Sequence, residues 1–244
     1  HRVTLEGDRT GRIQRMHIDL LGDVGAYPHN GCQVPLFARL VAQGLYDIPR
    51  VDIDLTMVVT NTAPTGSYRG AGRPEAALAI ERAIEAFARQ AGLDPIEVRL
   101  RNLITELPHT TKTGAVYDSG DYAWAIHRAV EMLDLPSVRA EQQARRERGD
   151  NPIGVGMDAF VERAGGAIES GEYANVEVVD DEMEVRTGAV GTGQGHETVW
   201  AQVARSVFGD LPVKFIAKDT GEVKDGVGSY ASRSAQVGAS AVQR

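Results

Sequence analysis

The chain is poor in cysteine, carries no excess of basic charge and contains no long apolar run. Cys32 is the only cysteine in 244 residues. That excludes an intrachain disulfide, a cysteine-rich iron–sulfur site and a zinc knuckle within these residues, so any redox cluster must sit elsewhere. Cys32 itself reads as an inert, buried thiol. Lysine and arginine number 26 against 34 acidic residues, for a net charge of -8. The two signs are interspersed, so no face for nucleic acid or anionic lipid is expected. Apolar stretches such as Ala123 to Ile126 fall far short of the roughly 20 residues that a membrane span needs, and no leader-like start is present. A soluble segment without membrane insertion is expected. With 42% hydrophobic residues the chain can bury one large or two modest cores, which excludes disordered and fibrous classes.

Several catalytic signatures are missing as well. There is no Gly-x-Ser-x-Gly elbow, and the six histidines show no His-Glu-x-x-His or other ligand spacing. Asp180-Asp181-Glu182 reads as a hairpin tip, not as an acid–base pair.

The patterns that are present indicate a mixed α+β chain. Residues 2–21 alternate around Asp8-Arg9-Thr10-Gly11, a hairpin signal. Residues 51–58 alternate as another strand. From Pro74 to Gly92 the residues Ala77, Leu78, Ile80, Ala83, Ile84 and Phe87 recur at helical spacing, with proline at the first turn and glycine at the end. Asp94-Pro95 opens a short helix through Ile104, and Asp121 caps a third carrying Trp124, Ile126, Ala129, Val130 and Leu133. Residues 137–150 are rich in Glu, Gln and Arg, lack an apolar stripe and run into Gly149-Asp150-Asn151-Pro152, which places a domain boundary between 149 and 150. Strands are then expected over 153–161, 172–179, 182–190 and 213–217, with an amphipathic helix of Val199, Val203, Val207 and Phe208. No internal repeat is visible. The strand-like start at His1 and the helix-like stop at Arg244 lead us to expect a piece of a longer chain.

Three segments at helix entries have the make-up of anion-binding loops. In Ser67-Tyr68-Arg69-Gly70-Ala71-Gly72-Arg73-Pro74, small residues admit a ligand to the backbone and arginines add charge. Gly191-Thr192-Gly193-Gln194-Gly195-His196 follows a strand and opens a helix, but His196 stands where a dinucleotide fingerprint needs its third glycine, and no Gly-Lys-Ser/Thr follows. Gly228-Ser229-Tyr230-Ala231-Ser232-Arg233-Ser234 offers hydroxyls, amides and a guanidinium. From the residues alone, a surface turn, a non-redox nucleotide- or phosphate-binding module and a nicotinamide-dependent dehydrogenase all stay open, the last weakened by the missing glycine.

At these same loops the chain resembles the molybdenum-binding subunits of the xanthine dehydrogenase, aldehyde oxidase and carbon monoxide dehydrogenase family. The likeness runs from Thr60 through Ala76, through Asp94-Pro95-x-x-Val98-Arg99-x-Arg101-Asn102, then Ser170-Gly171-Glu172-Tyr173-Ala174, Gly193 to Thr198, and Gly228-x-x-x-Ser232-Arg233-Ser234. It implies a two-domain cofactor-binding fold, incomplete at both ends. Residues 1–149 would be the C-terminal part of the first domain and residues 150–244 the N-terminal part of the second. It also implies a molybdenum-molybdopterin cofactor, commonly the cytosine dinucleotide form. Arg69 would be catalytic beside the molybdenum, with no direct protein ligand to the metal. Arg69, Gly70, Gly193, Gln194, Gly195, Ala231, Ser232, Arg233 and Ser234 would hold the cofactor, with the metal near Arg69 and Ala231. Tyr68, Ala71 and Phe37 would line the substrate pocket. The activity implied is hydroxylation of an aldehyde, an N-heterocycle or a similar small molecule with water as oxygen source. Electrons would pass to partner subunits carrying iron–sulfur clusters and FAD, in a dimer of heterotrimers. Location would be cytoplasmic, with the inner membrane face as a peripheral alternative.

Where true carbon monoxide dehydrogenases carry a cysteine-bearing loop, this chain has Tyr68-Arg69-Gly70-Ala71, similar to the second form of that subunit. That disfavours carbon monoxide oxidation. Ala71, in the place of an aromatic residue, and the lack of an arginine near Phe37 disfavour purines. The family's glycine-rich Phe loop and catalytic glutamate have no counterpart here, so these residues alone are expected to be inactive.

Overall fold

The computed structural model describes the chain except residues 163, 166–170, 217, 218 and 224. Two compact units form, His1–Glu162 and Arg163–Arg244.

In the first unit, β1 (Arg2–Gly7) and β2 (Ile13–Asp23) make the expected antiparallel hairpin, and β3 (Arg50–Val58) lies parallel to β2 on its other side. A parallel neighbour requires a crossover. It is supplied by α1 (Gln33–Val41), a helix not expected from the sequence because Pro35 and the Gly-rich approach mask its start. Alternation sends Met16, Ile18 and Leu20 inward and leaves Arg15, His17 and Asp19 on the outer face. Helix α2 (Arg73–Ala91) packs Ile80, Ile84 and Ala88 into this core, and α3 (Pro95–Arg101) adds Val98. Asp94 caps α3 by accepting from Ile96 N at 2.7 Å. One buried position of α2 is charged. The Glu81 carboxylate accepts from Arg99 Nε at 2.7 Å and from the Tyr46 hydroxyl at 2.5 Å. Burial pushes the Glu81 carboxyl up, with the pull of Arg99 opposing it.

A small hairpin follows, β4 (His109–Thr110) with β5 (Val116–Tyr117). Helix α4 (Tyr122–Leu133) is capped by Asp121, which accepts from Trp124 N at 2.8 Å. Its inward stripe is Tyr122, Ile126 and Val130, spaced by one turn. Trp124, Ala129 and Leu133, which were expected on the same face, are exposed. The Glu/Gln/Arg-rich stretch expected at a domain boundary is a helix, α5 (Leu135–Arg148), ended by Gly149. It has little apolar periodicity because its surface is laced by charge, with Glu141 accepting from Arg145 at 2.7 Å and from Arg148 at 3.2 Å. The strand expected over 153–161 is irregular backbone. Met157, Ala159 and Val161 lie against the first core, and Arg99 donates to the Met157 carbonyl at 3.3 Å. Packing therefore ends the first unit after this segment, at Glu162.

The second unit repeats the order. Strands β6 (Ala174–Val179) and β7 (Glu182–Thr187) form the expected hairpin, both somewhat shorter than the alternation indicated. Asp180 and Asp181 make its tip, in left-handed backbone. The crossover helix α6 (His196–Phe208) leads to β8 (Val213–Ile216), parallel to β7. Position 217, expected to end that strand, lies outside the described residues. Met183 and Val185 pack against Trp200 and Ala204. On α6, Val199 and Val203 flank this core while Val207 and Phe208 are largely exposed. A π-helical turn (Ser234–Gly238) and α7 (Ala239–Gln243) close the chain. No described helix is long and apolar enough to cross a membrane.

Candidate functional site

In the first unit the residues expected to form the site, apart from Phe37 on α1, ride on the segment between β3 and α2. It is anchored at Asp23, whose carboxylate accepts from Gly25 N and the Thr60 hydroxyl, each at 2.8 Å, and from the Thr62 hydroxyl at 3.3 Å. The Gly25 amide and the two hydroxyls hold the Asp23 carboxyl below its usual range. Backbone bonds from Ala26 N to the Thr62 carbonyl and from Thr60 N to the Gly25 carbonyl continue the β2–β3 pairing past the strand ends. Beyond them Tyr68 is 83% exposed, Arg69 is exposed, and Gly70 and Ala71 are half-buried. Gly70, Ala71 and Gly72 all have positive φ, at 88°, 45° and 96°. At Gly72 the reason is contact, because a Cβ there would lie 2.1 Å from the Val34 carbonyl oxygen on α1. Ala71 has no such freedom, and a non-glycine residue in this region persists only where its surroundings fix it.

Arg73 does much of that fixing. Its Nη1 donates to the Gly70 carbonyl at 3.0 Å, its Nε lies 3.1 Å from the Glu162 carboxylate, and its guanidinium stacks 5.5 Å from the Phe37 ring centroid. Phe37, expected in a substrate pocket, thus lies against Arg73.

In the second unit Gly191 to Gly195 lead into α6. Gly193 and Gly195 have φ of 98° and 72°, the helix has no side-chain cap at its N-terminus, and Gly193, Gln194 and Gly195 are exposed. The Gln194 side-chain oxygen accepts from Thr192 N and from the Thr192 hydroxyl. His196 Nδ1 and Trp200 Nε1 both reach the Ala189 carbonyl, at 3.0 and 3.2 Å.

The stretches flanking the 228–234 loop pack against those flanking this one, within the same unit. Gly188 and Gly226 touch backbone to backbone, so closely that a Cβ on Gly188 would lie 2.3 Å from Gly226 Cα. Gly238 packs on the Trp200 ring. Ala231 and Ser232 are exposed and left-handed, each with φ 51°. Ser234 is half-buried, its hydroxyl 3.4 Å from that of Ser229. Arg233 is buried, with Nη1 on the Glu172 carboxylate at 3.2 Å and on the Gly228 carbonyl at 3.2 Å, and Nη2 on the Gly171 carbonyl.

Both halves of the chain match the model of the molybdopterin cofactor-binding domain, residues 1–103 to one such domain and residues 128–244 to a second. The chain belongs to the molybdopterin cofactor-binding family. Among curated relatives of this family, the carbon monoxide dehydrogenase large chain of Hydrogenophaga pseudoflava is 34% identical over 95% of this chain and 31% of its own length. The nicotine 6-hydroxylase large subunit of Paenarthrobacter nicotinovorans is 32% identical over 96% of this chain and 31% of its own. Quinoline 2-oxidoreductase from Pseudomonas putida 86 superposes with a TM-score of 0.88 at 32% identity, over 99% of this chain and 33% of that one. The chain spans about a third of the length of the relatives it matches. It is a molybdenum-binding large-subunit sequence, and its mixed helix and sheet fold is that of the molybdopterin-binding domains in these structures.

Sequence reasoning passed over Asp23 and Glu162 and, although Glu172 stands in a motif that carries the resemblance, gave it no role. None has a periodic or spacing signal, because each acts on a loop distant along the chain. The motif beginning at Ser170 is described only from Gly171 onward. His17, Asp19 and Asp54 bring ligand-capable atoms within 4.8 Å of one another. His17 and Asp19 share a face of β2 at alternate positions, and the register of β2 against β3 brings Asp54 to them. His17 Nε2 and Asp54 satisfy each other there at 3.0 Å.

Proposed function

We propose that this chain is the cofactor-cradling part of the catalytic subunit of a molybdenum hydroxylase that oxidises an N-heterocycle, an aldehyde or a similar small molecule, with water as oxygen source. The observation that carries the reading is the set of three glycine-bearing or hydroxyl-bearing loops, each preceding a helix or helical turn, in a chain matched along both halves to molybdopterin-binding domains. The residues fit such a group. The first amides of α6 have no side-chain cap, Cβ positions at Gly195 and Gly228 face open space, and Arg233 Nε is buried with no partner among the described residues. Uncapped helix amides and concave backbone favour a phosphate.

Within this reading Gly193, Gln194 and Gly195, together with Ala231 to Ser234, hold the pterin and its phosphates through backbone amides and hydroxyls. Arg69 is the catalytic cation, and Gly70 beside it is a further cofactor-binding position. Tyr68 and Ala71 border the substrate, and Phe37 acts through Arg73. The bound cofactor supplies two-electron oxidation and oxygen transfer. The chain's own residues orient the reactants and provide fixed positive charge where negative charge develops. The names of the nicotine and quinoline enzymes favour an N-heterocycle as substrate. We further assign the cofactor as the cytosine dinucleotide form, iron–sulfur clusters and FAD to partner subunits of a dimer of heterotrimers, and the cytoplasm as location. Along the chain, residues 1–149 belong to the first cofactor-binding domain and 150–244 to the second.

The test is the full-length protein purified with its partner subunits. Metal analysis should give molybdenum and pterin near one per chain, and a screen of N-heterocycles, aldehydes and carbon monoxide in 18O-water should give labelled product from the first class. Absence of both molybdenum and pterin overturns the proposal. Arg69→Ala should lower kcat/KM by about 10²- to 10³-fold with molybdenum content unchanged.

A further inference from the structure

Glu172 has no place in the roles assigned above, yet its carboxylate is 1% exposed and saturated with donors. It accepts from Tyr173 N at 3.0 Å, Val227 N at 3.1 Å, Gly228 N at 3.0 Å and Arg233 Nη1 at 3.2 Å. One oxygen lies so close to Gly188 that a Cβ on that residue would stand 2.9 Å from it. A carboxylate so placed is not a surface ion pair. Taking it out of water is tolerated only because every contact is a charge-assisted hydrogen bond.

Those four donors come from two separate stretches of chain, the entry to β6 and the loop leaving β8. Arg233 completes the tie. The same guanidinium that meets Glu172 also bonds the Gly228 carbonyl at 3.2 Å and the Gly171 carbonyl, and it stacks 5.2 Å from the Tyr230 ring. Between Gly228 and Arg233 lie Ala231 and Ser232, two non-glycine residues in left-handed backbone. Such backbone reverts unless both ends are pinned, and Glu172 and Arg233 pin both ends.

We propose that Glu172 is a positioning residue for the cofactor. Through Arg233 it locks residues 228–233 in the strained conformation that presents the Ala231 and Ser232 backbone to the pterin group. Arg233 then acts by its fork of hydrogen bonds and not by lending net charge to a phosphate, since its charge is matched by Glu172. This inference rests on the cofactor reading above.

The experiment uses the full-length protein with its partner subunits and four forms: wild type, Glu172→Gln, Arg233→Lys and Val185→Ala. Val185→Ala opens a cavity in the β7 core and serves as a control for lost stability. Molybdenum is counted by elemental analysis and pterin by fluorescence after oxidative release, while hydrogen exchange of α6 reports folding. Wild type should carry both near one per chain. Glu172→Gln and Arg233→Lys should keep α6 protected but hold about tenfold less of each, the scale on which supporting shells act, and Val185→Ala should stay near wild type. Arg233→Lys keeps the charge and loses the fork, so it also carries the test alone if Glu172→Gln does not fold. Loading of either Glu172→Gln or Arg233→Lys within twofold of wild type while α6 stays protected, or an equal loss in Val185→Ala, overturns the inference. A wild type without molybdenum and pterin overturns the cofactor reading itself.

Discussion

Glu81 and Arg99 form an ion pair in the core of the first unit, and removing one partner should cost far more than removing both. The Arg99 and Glu81 side chains are 1% and 5% exposed. Glu81→Leu would leave the guanidinium with the outlying Glu85 carboxylate at 3.3 Å and the carbonyls of Pro95 and Met157, and would strip the Tyr46 hydroxyl of its acceptor. Breaking a buried pair from one side costs about 3–5 kcal/mol, and an orphaned buried hydroxyl about 1–3 kcal/mol. Arg99→Met should fall in the same range. The double variant Glu81→Leu/Arg99→Met should recover all but the hydroxyl's cost, and adding Tyr46→Phe should bring stability within about 1 kcal/mol of wild type, since apolar residues replace such networks with little loss. Hydrogen exchange of the α2 and α3 amides in the full-length protein is the assay. Arg99→Met should lower their protection by about two to three and a half orders of magnitude, and Glu81→Leu, which also orphans the Tyr46 hydroxyl, by about three to five and a half, at about 1.4 kcal/mol per decade. Single substitutions that leave protection within tenfold, or a triple variant no better protected than the singles, would refute the reasoning.

Three further outcomes follow from the geometry. Gly72→Ala should destabilise the first unit by more than about 1 kcal/mol, because of its φ of 96° and the 2.1 Å approach to the Val34 carbonyl oxygen; thermal melting and hydrogen exchange of α1 would read it. Gly188→Ala should disturb residues 226–234 selectively, seen as faster exchange there with β6 and β7 unchanged. Asp23 should give an acid-dependent anchor. Its folded pKa lies below the ordinary 3.8, so the stabilisation is present above that value and lost as pH falls through the lower folded one. Exchange at residues 58–62 should accelerate on that acid limb in wild type, and Asp23→Asn should remove the dependence.

Much of this could be read in the sequence. The hairpins, α2, the Asp94 and Asp121 caps and all three glycine- or serine-rich loops follow from turn chemistry and periodicity, which are local. Helix α5 escaped because solvated charge pairs, not an apolar stripe, cover its surface. Residues 153–161 have the alternation of a strand but find no edge to pair with among the described residues. The pairs Arg73–Glu162 and Arg233–Glu172 escaped for another reason. They join residues 89 and 61 positions apart respectively, distances at which no pattern in one sequence connects them.

The repeated order of the two units has a consequence of its own. In each, a hairpin is followed by a helical crossover to a parallel third strand, and the loop that leaves that strand holds consecutive left-handed residues: Gly70, Ala71 and Gly72 in one, Ala231 and Ser232 in the other. Residue identity has not kept the likeness, but the chain path has. Each loop is braced by an arginine and a glutamate of its own unit, so its shape is written locally and can drift without consulting its counterpart. A single architecture thereby gains two adjustable fingers, one tipped by an exposed tyrosine and arginine and the other by an exposed tyrosine beside small methyl and hydroxyl groups, each free to change on its own schedule.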